Sequence, residues 1–179
     1  MLNDSSSPTL TNCTFSGNSD DFGGGGMINY SSSSPTVTNS ILWGDSSQEI
    51  YNYAGSSPSV TYCNVQGGYT GTGNINADPR FVDPDGPDNI SGNQDDDFHL
   101  KPNSPCIDSG DNSASTLPAT DFEGDDRRID NPWVTDTGNG ARPIVDMGAD
   151  ESQPVQPEPE GMFYILPNKQ GGSAIIYLE

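Results

Sequence analysis

The pentapeptide Ser-Ser-Pro-Thr-Leu at positions 6–10 returns as Ser-Ser-Pro-Thr-Val at 33–37 and as Ser-Ser-Pro-Ser-Val at 56–60. The prolines of the three copies are 27 and then 23 positions apart. A matching stretch follows each copy: Thr-Asn-Cys-Thr-Phe at 11–15, Thr-Asn-Ser-Ile-Leu at 38–42 and Thr-Tyr-Cys-Asn-Val at 61–65. A repeat of this length is typical of a solenoid, in which each copy packs on its neighbours.

Each copy contains three short stretches with β-strand character, separated by Gly, Asn, Ser or Pro, and none has an apolar stripe with helical spacing. The pattern predicts an all-β fold, a right-handed parallel β-helix of about three coils over residues 1–77. Each strand would pair with its equivalent in the next coil, about 4.8 Å away. Side-chain alternation predicts an interior made of Leu10, Cys13, Phe15 and the equivalents Val37, Ser40, Leu42, Val60, Cys63 and Val65.

The residue between the second and third strand of each copy is expected in a tight left-handed turn. Asn12 and Asn39 occupy this position in the first two copies, and Tyr62 occupies it in the third. Asparagine tolerates left-handed geometry, and stacked amides can bond to one another along the coils. The sequence therefore predicts a short structural ladder of Asn12 and Asn39 that Tyr62 ends.

The composition alone would suggest disorder, because only 30% of residues are hydrophobic and the net charge is −20. The repeat outweighs that expectation, since a thin coil needs few core side chains when its neighbours stack. With 6 basic and 26 acidic residues, the chain is a poor partner for nucleic acid or an anionic membrane surface. No apolar run approaches the length of about 18 residues that a transmembrane helix needs.

Four segments follow from these patterns. Residues 1–77 form the coils, which we expect to be truncated at the N-terminus, and residues 78–151 form an acidic, loop-rich closing region with strand candidates at 80–82, 98–100 and 144–146. Residues 152–160 are a Pro-rich linker, and residues 161–179 predict a β-hairpin. Because an isolated hairpin is marginal in water and an open coil end exposes strand edges, both elements suggest anchoring or self-association.

The closing region, residues 78–151, has the acidic composition of a cation-binding segment. Calcium prefers several carboxylate and carbonyl oxygens supplied by irregular loops, although no EF-hand loop is present. The predicted structural calcium ligands are Asp83, Asp85, Asp88, Asp95, Asp97, Asp121, Glu123 and Asp125. The alternative is a solvated acidic surface on which individual aspartates cap turns or pair with arginines; Asp108, Asp111 and Asp146 are candidates for that role.

Other chemistry-bearing residues are few. His99 is the only histidine, and without an evident set of partners it is expected to be an ordinary strand residue. The three cysteines are expected to be unpaired and inert. Four aromatic residues could stack on sugar rings, or could instead pack in turns or between coils: Trp43, Tyr30, Tyr51 and Tyr53.

Several blocks resemble known bacterial families. The stretches 15–18 (Phe-Ser-Gly-Asn) and 25–28 (Gly-Gly-Met-Ile) are similar to repeats of polymorphic outer-membrane proteins. Residues 33–52, 77–83, 97–102, 104–111 and 145–151 resemble choice-of-anchor Q proteins of the pectin-lyase-like β-helix superfamily. The resemblance implies a secreted or surface-anchored bacterial protein whose C-terminal hairpin belongs to a variable anchoring module. It supplies no catalytic motif.

The function expected from the sequence is a non-catalytic role of a secreted β-helix in adhesion, scaffolding or self-assembly, with calcium as a structural ion. Residues 1–77 contain no Lys, Arg or His that could act as a lyase base. Their acid pairs, Asp20 with Asp21 and Asp45 with Glu49, are expected in loops rather than in the arrangement that a hydrolase needs. The alternative is a carbohydrate-binding or polysaccharide-degrading β-helix, with a glycan as ligand.

Overall fold

The computed structural model describes residues 1–21, 23–53 and 55–154, together with the backbone of two later strands at 164–167 and 173–176. Within these residues every regular element is a strand, so the predicted all-β class is confirmed. None of them forms a helix that could cross a lipid bilayer. The strands are β1 (Leu2–Asp4), β2 (Thr9–Thr11), β3 (Thr14–Phe15), β4 (Gly24–Tyr30), β5 (Thr36–Thr38), β6 (Ile41–Leu42), β7 (Gln48–Asn52), β8 (Ser59–Thr61), β9 (Asn64–Val65), β10 (Phe81–Asp83), β11 (Asp97–Leu100), β12 (Tyr164–Pro167) and β13 (Ser173–Ile176).

The first nine strands form three parallel sheets of three strands each. Their orders are β1-β4-β7, β2-β5-β8 and β3-β6-β9, so the chain visits the three sheets in the same order three times. We call each visit to all three sheets a pass. Thr9 pairs with Thr36 and Thr36 with Ser59, which reproduces the spacing of the sequence repeat.

The turn between the second and third strand of each pass has the left-handed geometry that the sequence predicts. Asn12, Asn39 and Tyr62 have φ values of 52°, 52° and 50°. Such values are uncommon for residues with a side chain, and asparagine accepts them most readily. Tyr62 adopts the same conformation, and its backbone N–H donates to Thr72 O, at 2.8 Å, in the segment that follows the third pass.

A first hydrophobic core lies between the three sheets. Its buried members come from the second and third passes and match the predicted inward positions of the second and third strands, with Met27 and Ile50 added by the long strands β4 and β7. Leu10 and Phe15 of the first pass pack against it and are half-buried. The buried members are Met27, Val37, Leu42, Ile50, Val60, Cys63 and Val65.

A second core lies on the opposite face of β6. Ile41 precedes Leu42 and therefore points away from the first core, where the closing region covers it. This core includes β10 and β11, which pair antiparallel, and the loops around residues 106 and 147. Its buried members are Ile41, Phe81, Leu100, Cys106, Ile107 and Met147. Residues 144–146, the third strand candidate of the closing region, form no strand.

The last two strands, β12 and β13, pair antiparallel with Tyr164 opposite Ile176. The turn that the sequence predicts between them, and residues 155–160 of the predicted linker, lie outside the described residues. Cys13, Cys63 and Cys106 are free thiols, and the last two are buried.

Candidate functional site

The predicted calcium ligands of residues 83–97 are spread over β10, β11 and the turns between these strands. Asp88 accepts hydrogen bonds from Ile90 N, at 2.9 Å, and from the side chain of Asn93, so it caps a turn. Asp83 and Asp85 are half-buried, while Asp95 is exposed. No acidic cluster capable of holding an ion forms from these residues within the described part of the chain.

Asp121 is occupied by backbone donors. Its Oδ1 accepts the N–H groups of Glu123, Gly124 and Asp125 at 2.9–3.0 Å, and its Oδ2 accepts that of Glu151 at 3.2 Å. Burial acts in the opposite direction, but these four N–H groups hold the pKa of Asp121 below its ordinary value. The Asp121 carboxylate therefore holds the loop 121–125 together by accepting the backbone N–H groups of that loop. Asp125 is exposed.

His99 has the charged partners that the sequence did not reveal. Its Nε2 lies 3.0 Å from Glu123 Oε2 and 3.9 Å from Asp150 Oδ1, and its Nδ1 lies 2.5 Å from Asp97 Oδ1. The hydrogen bonds with Glu123 and Asp97 raise the pKa of His99 to about 9, so the ring carries a proton at neutral pH. Two of the predicted metal ligands, Asp97 and Glu123, thus lie against His99, and one ligand atom each of His99, Glu123 and Asp150 lies within 4.8 Å of the others, which is close enough to hold a metal ion.

A buried ionic network joins the end of the closing region to its middle. Arg127 is 3% exposed and donates to the carbonyl groups of Gly148, Ala149 and Asp150, with Glu151 Oε2 4.0 Å from its Nη1. Glu151 accepts hydrogen bonds from Ile129 N and Asp146 N. Burial raises the pKa of Glu151. Burial also lowers the pKa of Arg127, although the negative charges of the nearby acids act to raise it.

Asp146 is also buried, and its carboxylate is fully used as an acceptor. Its Oδ1 accepts the N–H of Asp108 at 2.7 Å, and its Oδ2 accepts that of Ser152 at 2.8 Å. Burial nevertheless raises the pKa of Asp146. The alternative considered for Asp146, a capping role, agrees with these contacts.

Asp108 differs from every other buried acid just described. It is 0% exposed, and neither of its carboxylate oxygens has a hydrogen-bond partner. Its carboxylate lies in a group with Asp130 and Asp136 in which one oxygen of each residue is within 4.8 Å of the others. The sequence predicts a turn-capping or arginine-pairing role for Asp108, and neither Asp130 nor Asp136 is near it in the chain.

A pair of acids lies where the second pass ends and the third begins. Glu49 of β7 is 4% exposed, and its Oε1 accepts the N–H of Asp45 at 3.2 Å. Glu49 Oε2 and Asp45 Oδ2 are both buried without a hydrogen-bond partner in the described structure. Burial, reinforced by Asp45, raises the pKa of Glu49 to about 8. The pair is buried beneath the glycine-rich strand β4, where a Cβ on Gly26 would come within 2.8 Å of Asp45 Oδ2.

The aromatic residues proposed as sugar platforms fall into two groups. Tyr30 and Tyr53 stack with their ring centroids 3.9 Å apart, and Tyr51 meets Tyr53 edge-on at 5.0 Å. These three rings therefore contact one another along one side of the β1-β4-β7 sheet. Trp43 is separate and half-buried, and it lines a cavity of about 590 Å³ together with Arg80 and Lys101.

Two asparagine ladders connect neighbouring passes, one in the turns after β2 and β5 and the other in the β1-β4-β7 sheet. Asn39 Nδ2 donates to Asn12 Oδ1 at 3.3 Å, which is the contact expected of the predicted ladder. A second ladder, which sequence analysis did not predict, joins Asn3, Asn29 and Asn52 through bonds of 2.8 Å. Its sequence signal was the common register of Asn29 and Asn52 ahead of the repeated prolines.

Comparisons of the chain with protein-family models, with curated proteins and with solved structures give no match. The functional interpretation therefore depends on the residues and contacts described above.

Proposed function

We propose that the chain forms a right-handed parallel β-helix that serves outside the bacterial cell as a non-catalytic scaffold for surface display or adhesion. The observation that carries this proposal is the repeated parallel pairing of the three passes. Every strand of one pass pairs in parallel with its equivalent in the next, in all three sheets, with one register shift in the pairing of β4 with β7. A chain that repeats one pairing pattern in this way can be lengthened by further passes, which suits a display element.

The use of the polar side chains supports a structural role. The asparagines of both ladders bond to one another, and the tyrosines near β4 and β7 stack on one another. The acid pair Asp45 and Glu49 is largely buried, which separates it from a polymeric substrate. Side chains committed to neighbouring passes stabilise the stack and leave few groups available for acid–base chemistry.

The proposed extracellular location and bacterial source rest on the sequence resemblance to choice-of-anchor Q proteins. Antibodies against residues 1–154 should label intact cells of the source organism. Labelling that appears only after permeabilisation would contradict the proposed location.

The absence of catalysis is tested with uronate polymers and neutral polysaccharides. We expect no release of unsaturated products or reducing ends from either the natural chain or the Glu49→Gln variant. Turnover by the natural chain that the Glu49→Gln substitution abolishes would overturn the scaffold proposal and favour a hydrolase.

A second candidate function is carbohydrate binding, and the cavity at Trp43 favours it. Trp43 offers an aromatic face, and Arg80 and Lys101 are exposed cations that form no ion pair with the described residues. They are two of only six basic residues in a chain with net charge −20. An aromatic ring beside two cations is suited to an acidic sugar, because the ring stacks and the cations pair with the carboxylate.

A glycan array that includes uronate oligomers tests this candidate. Trp43→Ala and Arg80→Gln should each abolish any binding to acidic glycans, whereas Trp133→Ala, at a 49% exposed tryptophan elsewhere in the closing region, should leave it unchanged. Equal binding by all three variants would exclude the cavity as the site.

A further inference from the structure

Three carboxylates that are distant in sequence meet inside the closing region. They belong to Asp108, Asp130 and Asp136, and one oxygen of each lies within 4.8 Å of the others. Asp108 has a left-handed backbone conformation, with φ of 51°. Its carbonyl accepts the N–H groups of Thr137 and Gly138 at 3.0 and 3.1 Å, which holds the segment after Asp136 against it. The backbone therefore fixes the approach of two of the three acids.

The Asp108 side chain lacks the compensation that a buried carboxylate requires. The residue is 0% exposed, and neither oxygen accepts a hydrogen bond from the described residues. Asp130 Oδ1 is also buried without a partner. An unpaired buried carboxylate costs several kcal/mol, so such groups in proteins are normally neutralised by a proton, paired with a cation or bound to a metal.

The charged side chains around the group do not balance it. Arg142 pairs with Asp136 through its Nε, but its side chain is 67% exposed and lies at the rim. Burial raises the pKa of Asp108 to about 6, and Asp136 and Asp130 add to the increase; the charge of Arg142 and the nearby backbone N–H of Asn131, which forms no well-aligned hydrogen bond with either oxygen, act in the opposite direction. Three carboxyl groups therefore face one peripheral cation.

The His99 group provides a contrast within the same region. There the imidazolium lies among Asp97, Glu123 and Asp150 and supplies a positive charge at the centre of the acids. The Asp108 group has no such internal cation among the described residues, and all its candidate ligand atoms are oxygens. Hard divalent cations prefer oxygen ligands delivered by irregular loops, whereas zinc and copper favour nitrogen and sulfur.

We propose that Asp108, Asp130 and Asp136 bind a calcium ion that ties together three loops of the closing region. The Asp108 backbone also donates to Asp146 Oδ1, so the ion would connect directly to the buried ionic network around Asp146 and Glu151. Calcium bound here stabilises the folded chain by an amount that grows with the logarithm of its free concentration above Kd, since the unfolded chain does not bring the three acids together. The inference does not depend on the scaffold function.

The test uses the full chain stripped of metal with a chelator, titrated with CaCl₂ by calorimetry and followed by thermal unfolding. We expect one calcium ion to bind per chain and to raise the midpoint of unfolding. Asp130→Asn should weaken the affinity at least about tenfold and reduce the increase in midpoint. The half-buried position of Asp130 makes this variant more tolerant than one at Asp108.

Two further variants make the result specific. Asp125→Asn removes an exposed acid from the loop that sequence analysis favoured, and it should bind calcium like the natural chain. Asp108→Asn should abolish binding while keeping the metal-free chain folded, because an amide removes the buried charge. An absent calorimetric signal, or calcium binding unaffected by Asp130→Asn, would overturn the site. The site would also be overturned if calcium left the midpoint of thermal unfolding unchanged while Asp108→Asn stabilised the chain. Asp108 would then be neutralised by a proton alone.

Discussion

The side chain of Asn39 pairs with the backbone of Asp111 through two hydrogen bonds. Asn39 Oδ1 accepts the N–H of Asp111 at 2.7 Å, and Asn39 Nδ2 donates to the carbonyl of Asp111 at 3.1 Å. The amide thus replaces the backbone partner that an additional strand would provide, and it joins the second pass to the closing region across 72 residues of sequence. The nearby Asn12 also bonds to the closing region, because its Nδ2 donates to the carbonyl of Asp146 at 2.9 Å.

Removing the Asn39 amide should therefore loosen the closing region from the sheets. Asn39→Ala leaves the N–H of Asp111 and the Oδ1 of Asn12 without partners at a fully buried position, and we expect it to lower the free energy of unfolding by about 3 kcal/mol. Chemical denaturation measures this loss. Asn103→Ala, at an exposed asparagine, should change stability by less than about 0.5 kcal/mol. Equal stability of the two variants would show that the amide pairing contributes little.

Two costs of replacing Gly148 can be measured separately: the clash of a Cβ with Ile41 of β6 and the strain of a positive φ. Gly148 and Gly124 have nearly the same φ, 102° and 98°, but a Cβ on Gly148 would lie 2.8 Å from Ile41 Cδ1, whereas one on Gly124 meets nothing within 4 Å. Both alanine variants carry the cost of a positive φ. Because Ile41 is fully buried, Gly148→Ala should cost about 2 kcal/mol more than Gly124→Ala in thermal or chemical unfolding. Similar losses would contradict tight packing at this contact.

The sequence repeat predicted the strands and their register because both depend on local pattern. Val37 and Val60 pair in adjacent strands as the copies align, and the turn at Asn39 has the predicted conformation. A period-2 pattern also states that Ile41 points away from Leu42, but it does not state what covers Ile41. That cover comes from residues such as Cys106 and Met147, whose positions depend on long-range packing.

The candidate metal centre shows the same difference between what local sequence predicts and what depends on long-range folding. The sequence predicted that the acids of residues 78–151 would attract a cation, yet it ranked them by proximity along the chain. Asp121 satisfies that criterion, but its oxygens accept backbone N–H groups of its own loop and of Glu151. Asp108, Asp130 and Asp136 converge only because the loops fold back, and no spacing rule connects them. The partners of His99 were missed for the same reason.

The buried guanidinium of Arg127 should be among the least replaceable side chains. Arg127→Met keeps much of the packing volume but leaves three carbonyl groups and the carboxylate of Glu151 without their cation, so we expect a loss of about 3–5 kcal/mol. Arg128→Met is the matched control at an exposed neighbour and should cost less than about 1 kcal/mol. A loss for Arg127→Met no larger than that for Arg128→Met would argue against the buried guanidinium as a source of stability.

The Glu49 and Asp45 pair should make stability fall as pH rises from weakly acidic values to about 8. The folded-state pKa of Glu49 is about 8, well above its ordinary value of 4.5, so the folded chain binds more protons than the unfolded chain between these values. The contribution is greatest below pH 4.5 and is lost as pH approaches 8, at up to about 1.4 kcal/mol per pH unit.

Glu49→Gln imitates the protonated acid, retains the oxygen that accepts the Asp45 N–H, and can donate to Asp45 Oδ2. Denaturation across this pH range should therefore show a shallower slope for Glu49→Gln and a higher stability than the natural chain at pH 8. Asp4→Asn, at an exposed acid, should retain the natural slope, and a Glu49→Gln variant that does the same would show that Glu49 is ionised in the folded chain.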